Sequence, residues 1–145
     1  MAVITALLSG ALMSIQGVFN TGVSKESGQW VTNTFVQFTG FLTCLVLWFF
    51  IERTEHGFLE LFLVKKKYLL LGGMIGAFIT FTVIKSMAGL GPGKAALLIV
   101  VSQILVAYLI ELFGLFGVSR TPFLWRKLFG AMIAIGGIIL FQWET

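Results

Sequence analysis

The stretch SQILVAYLIELFGLFG, Ser102 to Gly117, holds one carboxylate, Glu111, among apolar neighbours. A charge at the centre of a hydrocarbon layer costs at least about 2.5–3.5 kcal/mol on insertion scales. A carboxylate kept there can attract a cation or exchange a proton. The competing reading is an interfacial carboxylate, because Glu111 follows Lys94 by 17 residues. That is about 25 Å of helix and reaches the last third of a span. The other residues able to do chemistry in apolar surroundings are amides. Thr5, Ser9, Gln16 and Asn20 recur at helical spacing on one face, and Asn33, Gln37, Gly40 and Cys44 form a second stripe. Gln103, Ala107, Glu111 and Gly114 share a third, with Ala96 and Val100 behind them. Amides in lipid are costly unless they face protein or water. The stripes are therefore read as inward-facing, either as interhelical glue or as the lining of a pathway. Gln16, Asn20, Asn33, Gln37, Gln103 and Glu111 are the candidate pathway residues.

The elements that carry these stripes follow from composition. The chain of 145 residues is 58% hydrophobic and 11% charged. A soluble domain carries about 25% charged residues, so the solvent here is largely lipid. The apolar runs are long and do not alternate, which selects helices over the strands of a membrane barrel. Five spans are predicted, at about 2–23, 29–51, 68–89, 93–117 and 123–143, forming a single five-helix domain over 1–145. The N-terminal run lacks a basic leader and a small-residue cleavage motif, and is read as a retained helix. Polar joints separate the spans at Ser24–Gln29, Glu52–Gly57, Gly89–Lys94 and Ser119–Pro122. Trp30, Trp48, Trp125 and Trp143 fall near span ends, as an interfacial aromatic belt requires. Gly57–Lys67 is too short to span. It is either an interfacial helix with its lysines towards headgroups or an early start of the third span.

Small-residue seams are predicted to allow close helix packing. They comprise Gly72, Gly73 and Gly76 in the third span and Gly130, Gly136 and Gly137 in the fifth. Cys44 is a packing residue that has no cysteine partner in the chain, and Lys85 is read as snorkelling. The net charge of +4 reflects basic loops beside apolar segments, not nucleic-acid binding. No zinc-protease, nucleotide-loop or nucleophile-elbow motif occurs, and GLGPG follows a helix where a phosphate loop would follow a strand. The sequence therefore predicts no enzyme, no metal and no cofactor.

The landmarks resemble the YdcZ-like family of half-size proteins in the drug/metabolite transporter (DMT, EamA-like) superfamily. The resemblance rests on SGALMSIQGVFNTGVSKESG with Gln16 and Asn20, on GGMIGAF, and on GLGPGKAALLIVVSQILVAYLIELFGLFG with Gln103, Glu111, Phe113 and Gly114. RKLFGAMIAIGGIIL is similar to the closing helix of a transporter repeat. The related small multidrug exporters place an essential glutamate in the first helix, where this chain has Gln16 and Asn20. The resemblance implies an all-α integral membrane protein, half of an inverted-repeat DMT-type transporter, in a bacterial inner membrane. It implies a transporter subunit without naming its cargo.

Five helices hardly enclose an alternating-access path, so a dimer is expected, with binding at the subunit interface. Its cargo is expected to be a small polar or cationic molecule, drawn by the Glu111 carboxylate, with few anionic substrates. Arg53, Lys65, Lys66, Lys67, Arg120, Arg126 and Lys127 fall on one side of the membrane, and Lys25 and Lys94 on the other, joined by Lys85 if it snorkels there. Basic loops favour the cytoplasm, giving an N-terminus inside and a C-terminus outside. The expected partner is a homologous five-helix subunit of opposite orientation, with an antiparallel homodimer as the alternative. The rival to transport is a non-transporting membrane subunit that stabilises or regulates another protein.

Overall fold

The computed structural model describes residues 1–142 and is all-α, with no strand among the described residues. Five α-helices follow in order: α1 Ala2–Ser27, α2 Gln29–Ile51, α3 Gly72–Leu90, α4 Pro92–Phe113 and α5 Trp125–Gln142. Three short 3-10 helices punctuate them, at Phe58–Leu63, Lys67–Leu71 and Leu115–Gly117. Four stretches among the described residues are long and apolar enough to cross a membrane: α1, α2, Lys67–Leu90 and α4. In each, no more than 6% of the apolar window is buried by protein. Side chains this apolar and this uncovered require lipid or another subunit around them. α5, the fifth expected span, is described for 18 residues and opens with Arg126 and Lys127 in its first turn. Trp143 lies outside the described residues.

The helices form two compact units, Met1–Gly89 and a second that begins at Leu90. In the first, the joint between α1 and α2 is a single residue. The expected polar turn from Ser24 is instead the last turn of α1, and only Gly28 leaves the helix, with φ at 85°. That φ suits glycine because no Cβ opposes it. Thr32 fastens the joint: its hydroxyl reaches the Gly28 carbonyl at 2.8 Å and the Ser27 hydroxyl at 3.0 Å. The core sits at this end and is unusually polar. Asn20, Thr21, Thr32 and Asn33 are buried, as are Gly17, Ile84 and Met87. The threonine hydroxyls avoid isolation by bonding back to carbonyls one turn earlier, as Thr21 does to Gly17 at 2.7 Å. α1 meets α3 at Gly17, where an added Cβ would lie 2.6 Å from the Met87 thioether and 3.3 Å from Val83.

The segment between α2 and α3 is not α-helical, and the third membrane-crossing stretch begins at Lys67. Phe58–Leu63 winds as a 3-10 helix held to the end of α2. Trp48 Nε1 donates to the His56 carbonyl at 2.9 Å and its ring lies 4.6 Å from that of Phe58. The Gly57 N–H donates to Glu60, and this bond, with the neighbouring His56 ring, holds the Glu60 carboxyl below its ordinary value.

In the second unit, Pro92 opens α4 behind Gly91, whose φ is 80°. α4 stops at Phe113, short of the predicted end at 117. Gly114 takes the left-handed conformation and its N–H returns to the Ile110 carbonyl, closing the helix as a glycine C-cap does. α4 and α5 then pack through Val101, Ile104 and Leu105 against Ala131, Ala134 and Ile135, leaving a void of only about 10 Å³.

The six seam glycines expected from sequence make no close approach among the described residues of the chain, and the spacing leaves open whether their partner is another subunit. A Cβ built on Gly72, Gly73, Gly76, Gly130, Gly136 or Gly137 meets nothing within 4 Å among the described residues. Within the chain, Gly17 and the Ala131–Ala134 pair take that role.

Candidate functional site

The polar stripes occupy three different settings. On α1, Thr5, Ser9, Gln16 and Asn20 lie along one open groove of about 580 Å³, with Leu8, Leu12 and Phe19 among its apolar walls. Every lining residue belongs to α1. Asn20 is buried at the inner end, whereas Thr5, Ser9 and Gln16 are exposed. The groove is therefore one wall only, a polar stripe running along a largely apolar face.

On α2, the amides are engaged with α3. Asn33 Nδ2 donates to the Ala77 carbonyl at 2.9 Å, and Gln37 Nε2 donates to the Thr80 hydroxyl at 3.4 Å. Trp30, three residues before Asn33, stacks on Phe81 with ring centres 4.5 Å apart. Residues 30, 33 and 37 share a helical face, and that face is the α2–α3 contact. Asn33 is 3% exposed and its Oδ1 has no hydrogen-bond partner among the described residues. A desolvated acceptor of this kind costs about 1–3 kcal/mol. Further along, Cys44 is exposed and lines a different groove of about 450 Å³, formed with Trp48, Phe58 and Leu61.

On α4, Gln103 is exposed and Glu111 is half-buried. The shortened α4 puts Glu111 in its last turn, two residues before Phe113. There the Lys127 ammonium meets it, Nζ to Oε2 at 2.7 Å. The same ammonium lies 5.6 Å from the centre of the Tyr108 ring, within cation–π reach. The loop between α4 and α5 folds back over this helix end. Arg120 Nε donates to the Leu112 carbonyl at 3.1 Å, the Thr121 N–H donates to the Glu111 carbonyl at 2.9 Å, and the Leu124 N–H donates to the Tyr108 hydroxyl at 3.4 Å. A guanidinium at the negative end of a helix dipole is favourable in itself.

The Glu111 charge is tolerated for a local reason: it sits at a helix end with a lysine on it. Sequence reasoning named Glu111 but used Lys127 only as a topology charge. The pair was hidden by a separation of 16 residues across a loop. Gly114 and Pro122 were the available signals that the chain turns there and lays the start of α5 beside the end of α4.

Comparison with known proteins identifies one family. The model described as "Putative inner membrane exporter, YdcZ" matches residues 1–140. No curated protein and no solved structure matches the chain.

Proposed function

The chain belongs to the YdcZ family of the inner membrane, and from that premise we propose that it is one half of a small-molecule exporter. It works as a dimer with alternating access, and its cargo is a small polar or cationic compound. The supporting observation is the α1 groove, whose polar residues all come from one helix and, apart from Asn20, are exposed. Exposed amides and hydroxyls on a membrane helix need protein or water opposite them. A second subunit facing α1 supplies the missing wall and completes a polar passage, as inverted repeats do in full-length transporters. Gln16 and Asn20 line that passage, and Gln103 and Glu111 are the pathway residues of α4.

A second reading has an observation of its own. Asn33 and Gln37 both bond to α3, which suits helix glue in a non-transporting subunit that stabilises a partner. Reconstitution separates the two. Liposomes carrying the assembly should take up at least one radiolabelled compound among cations, amines and neutral metabolites. Gln16→Leu should reduce that flux by about tenfold, the discrimination expected when roughly 1.4 kcal/mol of a polar interaction is lost. No flux for any class, with Gln16→Leu silent in cells, would leave the stabilising subunit as the function.

A further inference from the structure

We infer that Tyr108, Glu111 and Lys127 form a binding site for a primary ammonium group, occupied here by the protein's own lysine. A primary amine in its charged form takes the site by displacing Lys127. The inference rests on the exporter reading only in naming that amine as cargo.

An ammonium is recognised by an anionic acceptor and by the face of an aromatic ring. Both are present, and both belong to α4. Tyr108 and Glu111 are three residues apart and share a helical face. The ammonium they hold comes from a different element, the first turn of α5, at 2.7 Å from the carboxylate and 5.6 Å from the ring centre. The receptor groups therefore stay in place whatever the lysine does.

The loop is also fastened without the lysine. Its three ties to α4 run through Arg120 to Leu112, Thr121 to Glu111, and Leu124 to Tyr108. Each has a backbone atom of the loop or of α4 at one end, and none uses the Lys127 ammonium. Releasing Lys127 breaks its ion pair with Glu111 and its contact with the Tyr108 ring, and leaves the three ties of the loop in place. The two side chains are 41% and 43% exposed, so an incoming cation reaches the carboxylate directly. The long lysine stem lets its head move to water while its methylenes stay on apolar surface. Throughout this exchange one cation replaces another, so Glu111 is never left as a lone charge beside lipid. An isolated carboxylate there is the expensive state, and an anionic or neutral ligand would create it.

The test is chemical rescue. Lys127→Ala removes the side chain beyond Cβ, and n-propylammonium is the fragment removed. Wild type and Lys127→Ala, each in nanodiscs of zwitterionic lipid, are titrated with n-propylammonium chloride by calorimetry. A tethered group competes at an effective concentration of roughly millimolar or above. Lys127→Ala should therefore bind the probe at least about tenfold more tightly than wild type. Adding Glu111→Gln should return binding to background, and 1-propanol should not bind. Equal binding by wild type and Lys127→Ala, or binding that survives Glu111→Gln, would make the pair a structural brace and overturn the site. Should Lys127→Ala lose its helical circular dichroism, Lys127→Gln replaces it: tenfold tighter binding of the probe supports the site, and unchanged binding overturns it. Rescue without liposome flux would sink the exporter reading and keep the site. Flux by the wild type without rescue would sink the site alone.

Discussion

At the scale of the residue, Asn33 poses the sharpest question, because its two ends behave differently. Nδ2 is bonded to the Ala77 carbonyl, and Oδ1 is buried with no partner among the described residues. Interhelical hydrogen bonds in membranes average about 0.6 kcal/mol, less than the roughly 1–3 kcal/mol cost of an orphaned acceptor. Asn33→Leu removes both, so the variant should be more stable by about 0.4–2.4 kcal/mol. Asn33→Asp sets a carboxylate oxygen against the Ala77 carbonyl and should cost about 3–5 kcal/mol, the range for an uncompensated buried charge. Thermal unfolding in detergent checks both, and a leucine variant as unstable as the aspartate variant would refute the account. Transport supplies a separate readout. If Asn33 lines the pathway, Asn33→Leu loses flux while keeping its fold. The sequence made the amides visible as out-of-place polar groups. It could not distinguish an amide spent on a carbonyl, as at Asn33, from one left open, as at Gln16, because both sit on the same helical period.

At the scale of the element, the helices were legible and their ends were not. Long apolar runs located all five, and the second was placed at 29–51, where α2 lies. The errors fall at glycines. Gly28 makes a joint in one residue where the sequence suggested the whole of Ser24–Gln29, and Gly114 ends α4 early by adopting a left-handed conformation. Neither conformation leaves a mark on hydropathy. Spacing likewise shows which residues share a face, not which face meets a neighbour within the chain. Gly17 shows the consequence, as an added methyl there overlaps Met87. Alanine gains about 1 kcal/mol in helix propensity over glycine, whereas overpacking costs about 1–3 kcal/mol. Gly17→Ala should be close to neutral because the thioether can swing aside. Gly17→Val should destabilise by about 1–3 kcal/mol, and Met87→Ala in the same chain should recover most of that loss. Thermal melts of the three variants decide this. A valine variant that Met87→Ala fails to improve would show that the α1–α3 contact lies elsewhere.

At the scale of the whole molecule, the open α1 groove and the uncovered apolar helices pose a question about orientation. An inverted-repeat transporter needs two halves of opposite direction. One chain supplies both only if it inserts both ways, and such a chain should carry nearly equal positive charge on its two sides. The distribution here is uneven. Arg53, the three lysines from Lys65, Arg120, Arg126 and Lys127 make seven on one side. Lys25 and Lys94 make two on the other, or three if Lys85 snorkels there. Lys127 is counted among the seven although Glu111 holds it. Acidic residues contribute little to orientation, which follows the basic residues of short loops. Removing it still leaves six against three. We therefore expect insertion in one orientation, with the N-terminus in the cytoplasm and the C-terminus outside, and a partner that is a homologous five-helix chain of opposite charge bias. A C-terminal alkaline phosphatase fusion should be active and a fluorescent-protein fusion at the same point dark. Moving positive charge should then change the outcome in a defined way. Replacing Lys65, Lys66 and Lys67 with glutamine leaves four against three, and a mixed signal from both reporters should appear. Both reporters active in the unaltered chain would instead identify an antiparallel homodimer, in which the second wall of the α1 groove is α1 of another copy.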